Sequence, residues 1–129
     1  MGPGLLLAGG FGGWSGGIET LDVVELINLD TMSSCFVDTT LDQPRRYHTG
    51  DDNLVCGGQD DDYNNLSTCY DVATGATINL LNGRSHHTSW STDDGTYLLG
   101  GYPPTNNRTT ELITGDSTQA GFGLQYSTM

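Results

Sequence analysis

At 129 residues the chain has the length of one ordinary domain, and it could bury roughly two-thirds of its unfolded surface if it closed on itself. Its 19 glycines, with many Asp, Asn, Ser and Thr, point to short elements joined by tight turns rather than to long helices. Sixteen acidic residues against four basic ones give a formal charge of −12, a surface that repels phosphate backbones and anionic headgroups and so disfavours nucleic-acid and membrane-surface binding.

In chain order, the first predicted strand is Leu5-Leu6-Leu7-Ala8, ending at Gly9-Gly10. This apolar run is too short for the core of a secretory signal and has no basic residue before it, and no run in the chain approaches the roughly twenty residues of a membrane-spanning helix. The Gly-rich stretch that follows, Phe11 to Gly17, reads as an extended loop leading towards Val23. It contains Gly13-Trp14-Ser15-Gly16-Gly17, which fits G-x-S-x-G by letter. A nucleophile elbow, however, needs a strand before the serine and a helix after it, and neither flank offers them. The longest candidate helix, Ile18 to Asp30, carries Val23, Val24 and Ile27, β-branched residues that suit a pleated surface better. The expected class is therefore all-β.

Three motifs then recur in fixed order, which is the signature of a repeat architecture. Apolar runs close on a glycine doublet at Gly9-Gly10, Gly57-Gly58 and Gly100-Gly101, the first glycines lying 48 and 43 residues apart. Arg45-Arg46-Tyr47-His48-Thr49 and Arg84-Ser85-His86-His87-Thr88, both R-x-x-H-T, precede the second and third doublets. After each doublet comes an extended segment, aligned by letter as Val24-Glu25-Leu26, Thr68-Cys69-Tyr70 and Thr110-Glu111-Leu112.

On these motifs nearly the whole chain resembles the kelch repeat, whose four-stranded blade ends its second strand in Gly-Gly. The resemblance implies kelch-type β-propeller blades: a first at about 5–40 lacking its inner strand, a second at about 45–80 and a third at about 84–126. That amounts to about 2.75 blades, an open ring, since a closed propeller needs at least four. Kelch repeats place a Trp after the Gly that follows the third strand; here Gly75 is followed by Ala76-Thr77. In this frame the glycines sit where blades crowd and permit positive φ as the strand ends. Arg45, His48, Arg84 and His87 brace neighbouring blades, because a catalytic residue has no reason to recur at a structural period.

The same frame sets Cys56 on a second strand and Cys69 on the antiparallel third, with twelve residues between them, within reach of a disulfide; a pair of buried thiols is the alternative. Cys35 is then left over. No Cys-x-x-Cys occurs, so zinc is not expected. Two N-glycosylation sequons, at Asn65 and Asn107, fall in matching exposed loops between second and third strands. With the cysteines they suggest an extracellular, secreted setting. Asp60-Asp61-Asp62 lacks the alternating spacing of a calcium loop and reads as solvated surface.

The expected function is a non-catalytic binding or scaffold module that recognises protein or glycan through its loops, with no cofactor. Two other readings are a fragment of a kelch-type copper oxidase and an intracellular kelch adaptor. Against the oxidase, Cys69 and Tyr70 are neighbours on one strand and face opposite sides of the sheet. Open blade faces carrying Leu6, Val24, Leu112 and Phe122 are expected to drive self-association.

Overall fold

The computed structural model describes residues 4–14, 17–51 and 53–125. They form eleven β-strands in three antiparallel sheets, with one short 3-10 turn at Pro104–Asn106 and no α-helix. The first sheet is a meander of β1 (Gly4–Trp14), β2 (Gly17–Asn28) and β3 (Ser33–Thr40). The second runs β4 (Thr49–Asp51), β5 (Leu54–Cys56), β6 (Thr68–Asp71) and β7 (Thr77–Asn79). The third runs β8 (Thr88–Thr92), β9 (Gly95–Leu99), β10 (Thr110–Thr114) and β11 (Ser117–Ala120). Within each sheet consecutive strands pair, so each is an antiparallel meander. The sheets do not close into a ring.

Two cores lie between successive sheets rather than within any one of them. Val24, Leu41 and Val55 join the first sheet to the second, with Ala8, Val37, Tyr70 and Val72 packed against them. Cys56, Cys69, Ile78, Leu80, Leu98 and Ile113 join the second to the third. Strand alternation supplies these contacts: on β9, Thr96 and Leu98 turn inward while their neighbours are half-buried. Val24 and Leu112, expected on open faces, are buried in this way, whereas Leu6 and Phe122 are exposed. Each middle strand has a neighbouring sheet on at least one side, which the sequence alone did not assign.

The stretch between Gly10 and Val23 is a paired ladder, not a loop. Leu21 lies opposite Gly10, and pairing continues through Thr20, Glu19 and Ile18 to Gly17 opposite Trp14, with a register shift between Ala8 and Gly10. Glycines weaken a strand but still offer the N–H and C=O that a ladder needs, and a long partner strand holds them. Ser15 and Gly16 lie outside the described residues, as does the far end of the third repeat at Tyr126.

The pairing also corrects the alignment of the third motif. Ala8 faces Val24, Cys56 faces Cys69, and Leu99 faces Thr110. Ala8, Cys56 and Leu99 each immediately precede a glycine doublet, so Val24, Cys69 and Thr110 are the equivalent residues. Thr68 therefore corresponds to Thr109, one residue earlier than the letters suggested.

Candidate functional site

The R-x-x-H-T segments run just ahead of the first strands of the second and third sheets, their threonines opening β4 and β8. Each arginine is wholly buried and links two sheets. The Arg45 carbonyl accepts the N–H of Gly10 in the first sheet, while its Nη1 donates to the carbonyls of Gly57 and Thr68 in the second, each at 3.0 Å. Arg84 repeats the arrangement one sheet on. Its carbonyl accepts from Gly58 N–H, and its Nη1 donates to the carbonyls of Gly100 at 2.8 Å and Thr109 at 3.2 Å. A guanidinium suits this place because its fixed fork can serve several acceptors at once.

Their anionic partners differ. Arg45 Nη2 meets Asp42, three residues upstream, at 2.9 Å, and Asp42 is partly in solvent. Arg84 Nη2 meets Glu111 Oε2 at 2.7 Å with both side chains out of water. Glu111 also accepts from the Leu81 and Asn82 N–H groups and from Arg84 Nε. Such a pair is tolerated in a dry interior only when its lone pairs are answered in this way.

The histidines complete the joints. His48 Nε2 lies 2.7 Å from the Ala8 carbonyl. His87 Nε2 lies 2.8 Å from Thr49 Oγ1. Burial, with Arg84 close by, holds the pKa of His87 down at about 3. His48 is lowered too, chiefly by burial, against the Ala8 bond that favours its charged form.

These residues explain the glycine doublets. All six doublet glycines have positive φ, from +63° to +109°. A Cβ on Gly57 would come within 2.4 Å of the Arg84 carbonyl and 2.7 Å of the His87 ring; one on Gly9 would meet Arg45 and His48 in the same way. At Gly9 and Gly57 the crowding comes from the next R-x-x-H-T segment, and at Gly58 and Gly101 from the segment before the doublet, Arg46 with His48 and Ser85 with His87; a Cβ on Gly10 meets nothing within 4 Å.

Cys56 and Cys69 are directly opposed, with Cα atoms 4.0 Å apart, and form a disulfide. Cys35 is a free, exposed thiol on β3. Asn65 and Asn107 do fall between the second and third strands of their sheets, but both are half-buried rather than exposed. Asn65 Oδ1 accepts from Ser85 Oγ at 2.8 Å and Gln59 Nε2 at 3.3 Å. Asp60 organises its own loop: Oδ1 accepts from the N–H groups of Asp62 and Asn64, and Oδ2 from Asn64 Nδ2. Asp61 Oδ1 accepts from Thr20 N–H in the first sheet. Among the described residues no group of three or more His, Cys, Asp or Glu could hold a metal ion, and no helix is long and apolar enough to cross a membrane.

A second cluster escaped the sequence reading. Tyr47 and His86, which occupy the same place in the two R-x-x-H-T segments, are exposed and stacked with ring centroids 4.1 Å apart. Tyr102 approaches the His86 edge at 6.5 Å. Tyr63, presented by the Asp60 loop, faces the same cavity of about 370 Å³, lined by Gln59, Tyr63, His86 and Tyr102. The Arg46 guanidinium lies 5.0 Å from the Tyr63 centroid and 5.7 Å from that of Tyr47. Tyr47, Tyr63 and His86 all have φ between 55° and 64°, a conformation that costs a non-glycine residue about 1–2 kcal/mol. The signal was in the sequence: aromatic residues at matching, non-core positions of successive repeats.

No protein family matches the chain, and no curated protein does. Among solved structures, that of YjhT superposes with a TM-score of 0.74 at 13% sequence identity, over 97% of this chain and 50% of that one. The chain thus spans about half the length of YjhT, and at this identity the likeness is one of fold alone.

Proposed function

We propose that the chain is part of a kelch-type β-propeller that acts as a non-catalytic binding module, taking a protein or glycan on the loops at one end of its sheets. The observation that carries this reading is the use made of the motif residues. Arg45, Arg84 and His87 are buried and His48 is half-buried, and these groups, the best suited to chemistry, spend their hydrogen bonds on holding the sheets and the segments between them. Exposed aromatic residues gather instead on loops held by that rigid frame, the usual division of labour between scaffold and binding surface. The disulfide, and sequons recurring in the same loop of successive sheets, favour an extracellular setting.

The test is a binding screen of the chain against glycans and secreted proteins, run beside a copper titration. Saturable binding with no stoichiometric copper uptake is the expected outcome. Stoichiometric copper together with turnover of an alcohol would replace this reading with the oxidase.

A further inference from the structure

We propose that the cavity lined by Gln59, Tyr63, His86 and Tyr102 is a binding site for a neutral carbohydrate. This inference rests on the binding-module reading and gives that reading a ligand class and an address.

The site is assembled from equivalent positions of two sheets. Gln59 and Tyr102 each directly follow a glycine doublet, and His86 matches Tyr47. Each position is fixed by the backbone around it: Gln59 and Arg46 exchange both main-chain hydrogen bonds, as do Tyr102 and Ser85, while His86 N–H donates to the Tyr47 carbonyl. Tyr47 does not line the cavity; it stacks against His86 and fixes that ring's orientation. Tyr63 is carried on a loop whose turn is tied by three hydrogen bonds to Asp60. Three of these aromatic residues hold a strained backbone conformation, and strain of this kind gathers where a side chain must be aimed.

The lining selects the ligand. Its surface is mostly apolar and aromatic, with the Gln59 amide and the phenol groups of Tyr63 and Tyr102 as polar contacts. A pyranose offers the complement: a flat face of C–H groups to lie on a ring, and hydroxyls around the edge that need donors and acceptors. A cationic ligand is opposed by the Arg46 guanidinium already set against Tyr47 and Tyr63. An anionic one is opposed by the net charge of −12 and by Asp60, Asp61 and Asp62 beside Tyr63. An extended proline-rich peptide needs a long aromatic groove, whereas this cavity is walled by four residues.

The test uses the 129-residue chain on an array of neutral oligosaccharides ending in glucose, galactose, mannose or N-acetylglucosamine, beside an array of proline- and aromatic-containing peptides. Wild type is expected to bind neutral glycans. Tyr102→Ala and Tyr63→Ala are expected to weaken binding at least tenfold with unchanged melting, Tyr102→Phe less than threefold, and Trp90→Ala, an exposed aromatic on β8, not at all. Glycan binding that survives both alanine variants overturns the site but leaves the module reading standing. Peptide binding lost in those variants overturns the carbohydrate assignment alone. Binding to neither array overturns the inference and the module reading together.

Discussion

His48 Nε2 lies 2.7 Å from the carbonyl oxygen of Ala8 in the first sheet, and His87 Nε2, one sheet later, lies 2.8 Å from Thr49 Oγ1 in the second. A neutral ring that donates from Nε2 to a carbonyl keeps its lone pair on Nδ1. Both Nδ1 atoms are buried with no hydrogen-bond partner among the described residues. A proton added there would be a dry, unanswered charge near an arginine.

This fixes the pH dependence. The folded pKa of His87, about 3, lies below the ordinary imidazole value of 6.5, so its contribution is complete above about pH 6.5 and is lost as pH falls towards 3. His48 shifts in the same direction. His87 should cost up to about 1.4 kcal/mol per pH unit between pH 6.5 and its folded value of about 3. Urea unfolding between pH 7.5 and 5 should show stability falling as pH drops, and His87→Gln should flatten that slope while lowering stability at pH 7.5. Equal stability at pH 7.5 and 5 in the parent chain would contradict the assignment.

The Cys56–Cys69 bridge closes a 13-residue separation, for which loop entropy gives about 3 kcal/mol. Non-reducing peptide mapping of oxidised protein should find these two linked and Cys35 open to alkylation. Reduction should lower the urea midpoint, and Cys35→Ser should leave it where it was. Three alkylatable thiols in oxidised material would count against the bridge.

Gly57 and Gly115 separate two roles of glycine. Both have φ near +62°, but a Cβ on Gly115 meets nothing within 4 Å, whereas one on Gly57 collides with the Arg84 carbonyl and the His87 ring. Gly115→Ala should cost about 1 kcal/mol, the conformational penalty alone. Gly57→Ala should cost several times more, measured by denaturant unfolding. Equal costs would mean that the doublets answer to φ and not to the crossing segment.

How much of this was legible beforehand depends on what each residue answers to. The doublets, the arginines and the buried histidines recur because each sheet meets the next in one way, so their period shows in the sequence. The disulfide was one of two outcomes, with a pair of buried thiols, that the strand order implied by the resemblance allows. The register of the third motif did not, because three-letter likeness cannot tell Thr68-Cys69 from its neighbour without the opposing strand. The β1–β2 ladder was hidden because glycine-rich sequence carries no side-chain alternation. The aromatic cluster was overlooked because Tyr47 and His86 lie between the residues that draw attention, and only the fold brings Tyr63 and Tyr102 beside them.

The open sheets carry a further expectation. Leu6, Leu7, Phe36 and Trp90 are each about half or more exposed, on sheets that do not close. At about 25 cal/mol per Å² of apolar surface, that exposure favours association. Light scattering of residues 1–129 should therefore show dimers or larger species whose proportion rises with concentration. A monomer at all concentrations would contradict this.

The claim that a buried motif guanidinium holds its segment to the sheet that follows is tested most directly by the melting temperature of Arg84→Gln, with Arg108→Gln, an exposed arginine, as the control. Arg84→Gln strands Glu111 as a buried charge and removes the bonds to Gly100 and Thr109, a loss of about 3–5 kcal/mol. The account predicts that Arg84→Gln melts roughly 10 °C or more below the parent while Arg108→Gln melts with it. An Arg84→Gln chain that melts with the parent would contradict it.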